Sequence, residues 1–130
     1  MCVTFEVSGI IPASPEAIYT AWLDSAGHAA MTGAPAQVSA VSGAPFSVWD
    51  GYISGTNLEL EPGRRILQAW RTTGFPPGAP DSRLEIRLAA HAGGTQVNIH
   101  HSALPEDGMQ YYQGWIEYYF TPMKAYFSGK

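Results

Sequence analysis

The fold is decided near the C-terminus, by the stretch Gln113-Gly114-Trp115-Ile116-Glu117-Tyr118-Tyr119-Phe120-Thr121-Pro122-Met123-Lys124-Ala125-Tyr126-Phe127. Large apolar side chains recur here at the i, i+3, i+4, i+7 spacing that places them on one face of a helix. That face consists of Tyr112, Trp115, Ile116, Tyr119, Met123, Tyr126 and Phe127, and the other side carries Gln113, Glu117 and Lys124. An apolar face of this size needs a broad surface to cover. The pattern therefore predicts a long helix, over about residues 110–127, packed on a sheet.

Pro122 lies inside this predicted helix. It has no backbone N–H, and its ring crowds the carbonyl of Tyr118, at a local cost of about 3 kcal/mol. A helix ends or bends at such a residue, and a bend would let the helix follow a curved sheet.

Short β-like runs make up most of the remaining sequence. Val3, Phe5 and Val7 alternate with polar residues, which is the period of a strand with one buried face, and this strand ends near Ile11. Between Ala36 and Ser102 further runs are separated by Gly, Pro and Asn, as a meander of antiparallel hairpins requires. The six strands expected there are 37–41, 46–53, 56–60, 65–73, 82–90 and 95–102. Residues 74–80, Gly-Phe-Pro-Pro-Gly-Ala-Pro, cannot form a regular ladder and are expected at a rim.

Two short helices are expected between the first strand and this meander. Ser14 is a good N-cap and Pro15 suits the first helical position, which predicts a helix over about residues 15–23. Ile18 and Trp22 would form its inner face. Residues 25–31 predict a second helix, which the Gly-Ala-Pro sequence at 33–35 would stop.

The C-terminal pattern also carries a resemblance, through Gly114-Trp115, Glu117-Tyr118-Tyr119-Phe120 and Pro122-Met123-Lys124. It is similar to the terminal signature of the SRPBCC/START-like superfamily, in the branch named after the activator of the ninety-kilodalton heat-shock protein's ATPase. The opening strand and residues 12–24 that follow it, which include Ala21-Trp22-Leu23-Asp24, resemble the family's first strand and helix. Residues 50–71, from Asp-Gly-Tyr to Trp-Arg, resemble its central hairpin. The match spans nearly the whole chain.

This resemblance implies an α+β fold of the helix-grip type, in the order βααββββββα. A seven-stranded curved antiparallel sheet would grip the long C-terminal helix, with two short helices beside it, in a single domain over residues 1–130. The resemblance also implies a cavity between the sheet and the final helix. Its motifs are structural, and they specify a fold better than an activity.

Composition excludes several classes of protein. A chain of 130 residues with 45% hydrophobic residues can build a core without disulfides, a structural metal or an organic cofactor. The formal charge of −4 and the lack of a basic, aromatic run argue against nucleic acid binding. No run is long and apolar enough to span a membrane. Cys2 is the only cysteine, which favours a reducing cytosol.

The ionisable residues do not predict a metal or catalytic centre. His100 and His101 are neighbours on a strand, so they point to opposite faces and cannot chelate one ion. We expect His101 to face inward as a core or cavity-wall residue and His100 to face solvent, and we place His28 and His91 at the surface. Asp50 alone could turn inward as an acid or base, but Asp50-Gly51 reads equally well as a strand irregularity.

Aromatic residues are the remaining functional signal. At helical spacing such residues fill a core as readily as they line a ligand site, and both interpretations stay open. Apolar walls with a few polar tips suit a small hydrophobic or amphipathic ligand. The residues predicted to line such a site are Phe46, Trp49, Trp70, His101, Tyr112, Trp115 and Tyr119.

Tyr111 and Tyr118 lie seven positions apart on a neighbouring helical stripe. They would be exposed there, where they could form a homodimer contact.

Three functions follow from these observations. The leading hypothesis is a cytoplasmic domain that binds or senses a small apolar or amphipathic molecule rather than catalysing a reaction. The second is a protein-interaction module that acts on a chaperone ATPase, as the family name suggests. The third is a cyclase or hydrolase of the kind that some superfamily relatives represent.

Overall fold

The computed structural model describes residues 2–129, and its centre is one seven-stranded curved antiparallel sheet. The strands are β1 Val3–Ile11, β2 Ala36–Gln37, β3 Pro45–Val48, β4 Ile53–Glu61, β5 Arg65–Thr72, β6 Ser82–His91 and β7 Gly94–Leu104. Their order across the sheet is β1-β7-β6-β5-β4-β3-β2, so every neighbouring pair from β2 to β7 is a hairpin. Only β1 pairs non-locally, with β7. The predicted α+β helix-grip fold is confirmed.

Helices α1 (Pro15–Trp22) and α2 (Ser25–Thr32) lie between β1 and β2, as predicted. The Ser14 hydroxyl accepts a hydrogen bond from the Ala17 N–H at 3.1 Å, and Asp24 caps α2 in the same way. Gly33 ends α2 in the left-handed conformation, with a φ of 83°. Ile18 and Trp22 are buried, which confirms the inner face of α1.

The C-terminal helix comprises α3 (Gln110–Trp115), a π-helical segment (Ile116–Phe120) and α4 (Thr121–Ser128). Its predicted extent is confirmed. Pro122 does not end it, because the backbone widens ahead of the proline: the Thr121 N–H donates to the Ile116 carbonyl, five residues back. A wider turn relieves the crowding that a proline ring causes in an α-helix. The predicted bend thus takes the form of a π turn.

The helix buries the predicted face against the sheet. Trp115, Tyr119, Met123 and Phe127 are buried, and the other predicted members of the stripe are partly buried. Gln113, Glu117 and Lys124 are exposed, as expected. Each strand of the meander contributes inward residues to the same core, with Ile66, Ile86 and Ile99 fully buried.

The strand prediction was wrong at two places. The predicted strand 46–53 is divided by a turn over residues 49–52, so β3 ends at Val48 and β4 begins at Ile53. The backbone reverses because Trp49, Asp50 and Gly51 all have positive φ, and Asp-Gly is the sequence that favours such a turn. The first meander strand is also much shorter than predicted, since β2 covers only Ala36–Gln37.

Gly55 was expected between two strands and instead lies within β4, paired with both Phe46 and Trp70. A Cβ atom there would lie 1.8 Å from the Ala69 carbonyl oxygen. Only glycine allows this close approach of β4 to β5, which lies beside the site described next.

Candidate functional site

The candidate site is an open aromatic cleft where the start of β4 and the end of β5 meet the first half of the C-terminal helix. Its volume is about 370 Å³. Its lining residues are Trp49, Tyr52, Ile53, Trp70, Gln110, Tyr111, Gly114, Trp115, Tyr118 and Tyr119. No side chain in this set carries a formal charge, and seven of the ten are Trp or Tyr.

Trp49 stands at the mouth of the cleft on a strained turn. Its φ is 57°, a conformation that bulky residues rarely adopt, and Asp50 follows with a φ of 55°. The Trp49 ring packs edge-to-face on Tyr118, with centroids 5.6 Å apart, and on Tyr119 at 6.2 Å. The turn thus holds an indole against the C-terminal helix. Asp50 itself is exposed and lies in the turn, so of its two interpretations the strand irregularity is the one that the structure supports.

Tyr119, on which Trp49 packs, is hydrogen-bonded to a buried histidine. His28 Nδ1 lies 2.8 Å from the Trp22 carbonyl, and its Nε2 lies 2.8 Å from the Tyr119 hydroxyl. Because a carbonyl only accepts, Nδ1 carries the proton, and Tyr119 donates to Nε2. Burial lowers the pKa of His28, against the smaller opposing effect of the Trp22 carbonyl. Burial also raises the pKa of the Tyr119 hydroxyl, against the hydrogen bond from Trp49.

The prediction that His28 lies at the surface was therefore wrong. Its side chain is 2% exposed and stacks edge-to-face on Trp22. The short helix α2 carries His28 on its buried side. The imidazole can be buried there because the Tyr119 hydroxyl donates the hydrogen bond that water would otherwise donate to Nε2.

A second buried histidine, His101, is hydrogen-bonded to the lining residue Trp115. Trp115 Nε1 donates to His101 Nδ1 at 3.1 Å, and His101 Nε2 lies 2.9 Å from the Ser82 hydroxyl. The Ser82 hydroxyl donates to the Trp70 carbonyl at 2.7 Å. Because the Ser82 hydroxyl uses its proton on the Trp70 carbonyl, it accepts from His101, so Nε2 carries the proton. The imidazole is therefore the neutral tautomer protonated at Nε2. Burial, with a smaller contribution from the charge of His100, lowers the pKa of His101 to about 3.

His101 is fully buried, which confirms that it faces inward, and His100 is half-buried. Both nitrogens of His28 and of His101 are occupied by protein groups. Neither imidazole is free to accept a proton from a bound substrate. Within the described structure these two imidazoles hydrogen-bond to other buried groups of the core.

Tyr111 also lines the cleft. It was expected to be exposed, but it is buried, with its hydroxyl 2.7 Å from Thr72 Oγ1 and its ring edge-to-face on Trp70 at 5.1 Å. Burial raises the pKa of its hydroxyl. Phe75, in the proline-rich segment 74–80, packs on both Tyr111 and Trp70. Phe75 is not itself a lining residue, so this segment supports the cleft wall from outside.

The cleft contains only part of the predicted ligand site. Trp49, Trp70, Trp115 and Tyr119 line it. Phe46 instead borders an internal void of about 10 Å³. His101 and Tyr112 do not line the cleft: the first lies behind Trp115, and the second packs on Phe5 at 5.3 Å, centroid to centroid. Their contact with a ligand stays a prediction.

Sequence analysis missed several lining residues. Tyr111 lies four residues before Trp115, and Tyr118 lies three residues after it, so both fit the spacing used for the main stripe. The same helical periodicity would have found them. Nothing local marks Tyr52, because it reaches the cleft only through the turn that precedes β4.

Residues 2–129 include no group of three or more His, Cys, Asp or Glu side chains placed to hold a metal ion. Within the same residues, no helix is both long and apolar enough to cross a membrane.

Comparison with known proteins places this chain in a family. The family model described as "Activator of Hsp90 ATPase homolog 1-like protein" matches residues 12–128. The chain belongs to this family. Among curated AHSA1-like relatives, it is 30% identical over 115 residues to the human activator of 90 kDa heat shock protein ATPase homolog 1. That alignment covers 88% of this chain and 34% of the human protein, so the chain spans about one third of its relative.

Solved AHSA1-like structures share the architecture. An HSP90 activator from Plasmodium falciparum superposes with a TM-score of 0.83 at 18% identity, over 94% of each chain. The Aha1 dimer from Colwellia psychrerythraea superposes with a TM-score of 0.81 at 21% identity, over 98% of each chain. At these identities the likeness is one of fold.

Proposed function

We propose that this AHSA1-like domain binds a small amphipathic molecule in the aromatic cleft. The observation that carries the proposal is the conformation of Trp49. Two consecutive non-glycine residues with positive φ are costly, and such strain is retained where it serves a purpose. Here it places a partly buried indole in the wall of the cleft.

The dimensions and chemistry of the cleft support this proposal. A volume of about 370 Å³ lies in the range of small-molecule sites, and the walls are aromatic with a few hydroxyl and amide tips. Tyr and Trp rings bind apolar bodies with little loss of side-chain entropy. The hydroxyls of Tyr52 and Tyr118 belong to exposed residues at the rim, where they would meet the polar end of a ligand.

Gly114 offers a direct test, because it lines the cleft and has open space beside it. A Cβ atom added at this position would have the Tyr118 ring, 3.8 Å away, as its nearest neighbour. The variant Gly114→Phe should fill the cleft without disturbing the sheet. Gln113→Phe is the matched control, since that position is exposed on the same helical turn and outside the cleft.

The experiment has two parts. Native mass spectrometry of freshly purified protein looks for a retained molecule, and tryptophan fluorescence follows titration with fatty acids, flavonoids and aromatic acids. We expect binding that Gly114→Phe abolishes and Gln113→Phe preserves. If neither a retained molecule nor submillimolar binding is found, the cleft is a packing defect and the proposal fails.

We propose chaperone regulation as a second candidate, because the relative with 30% identity is an activator of a heat shock protein ATPase. The chain corresponds to about one third of that protein, so partner binding is carried over only as a hypothesis. The test is the steady-state ATPase rate of an Hsp90 with and without this protein. An unchanged rate at saturating protein would remove this candidate.

We also propose self-association, a cytosolic location and a single domain over residues 1–130. Tyr118 is 55% exposed and could contact a second copy, and a related Aha1 forms a dimer in Colwellia psychrerythraea. Cys2 is an exposed free thiol, which fits a reducing compartment. Sedimentation of the wild type and of the variant Tyr118→Ser tests the dimer. If Tyr118 forms the contact, the apparent mass should rise with protein concentration in the wild type and stay constant in the variant.

A further inference from the structure

The cleft has no charged group that could neutralise a bound anion. Its lining contains neither Lys, Arg nor His. An anion moved from water into such a site would lose hydration without gaining a counter-charge. Its only polar compensation would come from hydroxyl, indole and amide groups, several of which already have protein partners.

Aromatic rings, by contrast, attract cations through the negative potential above their faces. Trp binds a cation best, and the attraction acts when the charge lies within about 6 Å of a ring centroid. Trp49 packs through an edge-to-face contact on Tyr118, and Trp70 does the same with Tyr111. The rings of these two pairs stand at interplanar angles of 70° and 80°, so the lining rings differ in orientation.

Three carboxylates lie close in the chain to lining residues of the cleft, and Arg71, which follows Trp70 and lies 5.4 Å from the Phe75 ring centroid, has its charge paired with Asp81. Asp50 follows Trp49 in the turn, and Glu117 precedes Tyr118 on the helix. Asp107 accepts a hydrogen bond from the lining residue Gln110 at 3.1 Å. Asp50 and Asp107 favour a negative potential beside the cleft, whereas Glu117 lies on the outer side of the helix, where it accepts a hydrogen bond from Gln113 at 3.3 Å.

Basic residues of the described part of the chain lie elsewhere or are paired. Lys124 borders a separate groove that also contains Glu6. Arg71 is ion-paired with Asp81 at 2.8 Å. Arg64 and Arg65 lie at the β4–β5 turn, at the opposite end of β5 from the cleft. Arg83 and Arg87 occupy the exposed positions of β6, which alternate with its core-facing residues.

We infer that the cleft selects a cation, of the quaternary or alkylated ammonium class, carried on an apolar aromatic body. This inference rests on the proposed ligand-binding function and narrows its ligand class. The aromatic body fills the space beside Trp70 and Trp115, and the cationic group lies at the mouth against Trp49 and Tyr118.

The test uses three probes with one common body and different charges: 2-naphthylmethyl-trimethylammonium, 2-naphthylmethanol and 2-naphthylacetate. Calorimetric titration of the full chain measures each affinity at low and at high salt. We expect the ammonium probe to bind roughly tenfold more tightly than the alcohol, and the acetate to bind most weakly. Asp107→Asn should reduce the preference of the ammonium over the alcohol about twofold, with little change for the alcohol.

Gly114→Phe and the control Gln113→Phe locate the binding. If Gly114→Phe loses ammonium binding and Gln113→Phe keeps it, the ammonium probe binds in the cleft. If both variants keep it, the probe binds at a surface electrostatic site and the inference is overturned. If the acetate or the alcohol binds as tightly as the ammonium probe, the inferred selection for a cation is overturned, while the proposed function stands. If none of the three probes binds, the inference fails, and the proposed function stands or falls with the retained molecule and the panel of fatty acids, flavonoids and aromatic acids.

Discussion

Trp115 on the C-terminal helix donates its indole N–H to Nδ1 of His101 on β7, with the two nitrogens 3.1 Å apart. Both residues are buried, so this polar contact lies inside the apolar core. It joins the helix to the sheet at one defined register, since an indole shifted along the helix would leave the imidazole nitrogen without a donor. The same contact positions Trp115 as a wall of the cleft.

The first prediction concerns this hydrogen bond. Trp115→Phe keeps an aromatic ring but leaves His101 Nδ1 without its donor, so the free energy of unfolding should fall by about 1–3 kcal/mol. The free nitrogen should also accept a proton more easily, and the pKa of His101 should rise from about 3 toward its ordinary value. Urea unfolding and an NMR titration of the imidazole measure the two effects. A His101 pKa that does not move would show that burial alone sets it.

The second prediction concerns acid stability. His28 and His101 are neutral in the folded protein because burial lowers both pKa values, whereas in the unfolded chain they take up protons below about pH 6.5. The unfolded state therefore binds more protons, and stability falls as the pH drops from about 6.5 toward 3. Each histidine contributes a slope of at most about 1.4 kcal/mol per pH unit.

Urea unfolding between about pH 7 and pH 5 isolates this effect, because most carboxylates titrate at lower pH. His28→Gln should flatten the dependence. The exposed His91 provides the matched control variant His91→Gln. Equal slopes in wild type and in His28→Gln would contradict the assignment.

The third prediction concerns the strained turn at the cleft mouth. Asp50 is exposed with a φ of 55°, a conformation in which glycine is not penalised. Asp50→Gly should therefore be neutral or stabilise the fold by up to about 1 kcal/mol. Ser42 is also exposed but is not among the residues with positive φ, so Ser42→Gly should destabilise by about 0.5–1 kcal/mol. Thermal unfolding of the two variants should give shifts that differ by this margin, and equal losses would argue against strain at Asp50.

The fourth prediction compares two glycines. Gly55→Ala should destabilise the protein by roughly 3 kcal/mol or more, since its Cβ would meet the Ala69 carbonyl and force β4 away from β5. Gly114→Ala makes the same chemical change in a helix with no close neighbour, and should stabilise by about 0.5–1 kcal/mol. Chemical unfolding of both variants decides it. A tolerated Gly55→Ala would mean that the two strands separate without cost.

The elements that could be predicted are those with a local physical signal. Val3, Phe5 and Val7 reveal a strand because side chains alternate across a sheet, and Ser14 with Pro15 marks a helix start because a helix leaves its first N–H groups unpaired. The C-terminal stripe was equally clear. Each of these signals is contained in a few neighbouring residues.

Other features depend on groups that are distant in the chain. His28 lies in a short helix rich in Ala, where no periodicity distinguishes its inner side, and its partner Tyr119 is 91 residues away. Tyr111 looked exposed on a helical stripe until Thr72, 39 residues earlier, supplied the partner for its hydroxyl. Burial of a polar group is favourable only where such a partner exists, so local sequence cannot decide it.

The sequence by itself thus determined the α+β helix-grip order, the extent of the C-terminal helix and the face that this helix buries, because periodicity and capping act over a few residues. Only the tertiary structure decided that Trp49 turns over the cleft on a left-handed backbone, that two histidines are buried with both nitrogens engaged, and that His101 lies behind the cleft rather than in it. These outcomes rest on contacts of the turn after β3, of α1 and α2, and of β6 and β7 with one another and with the C-terminal helix. Their energies arise only when folding brings those elements together.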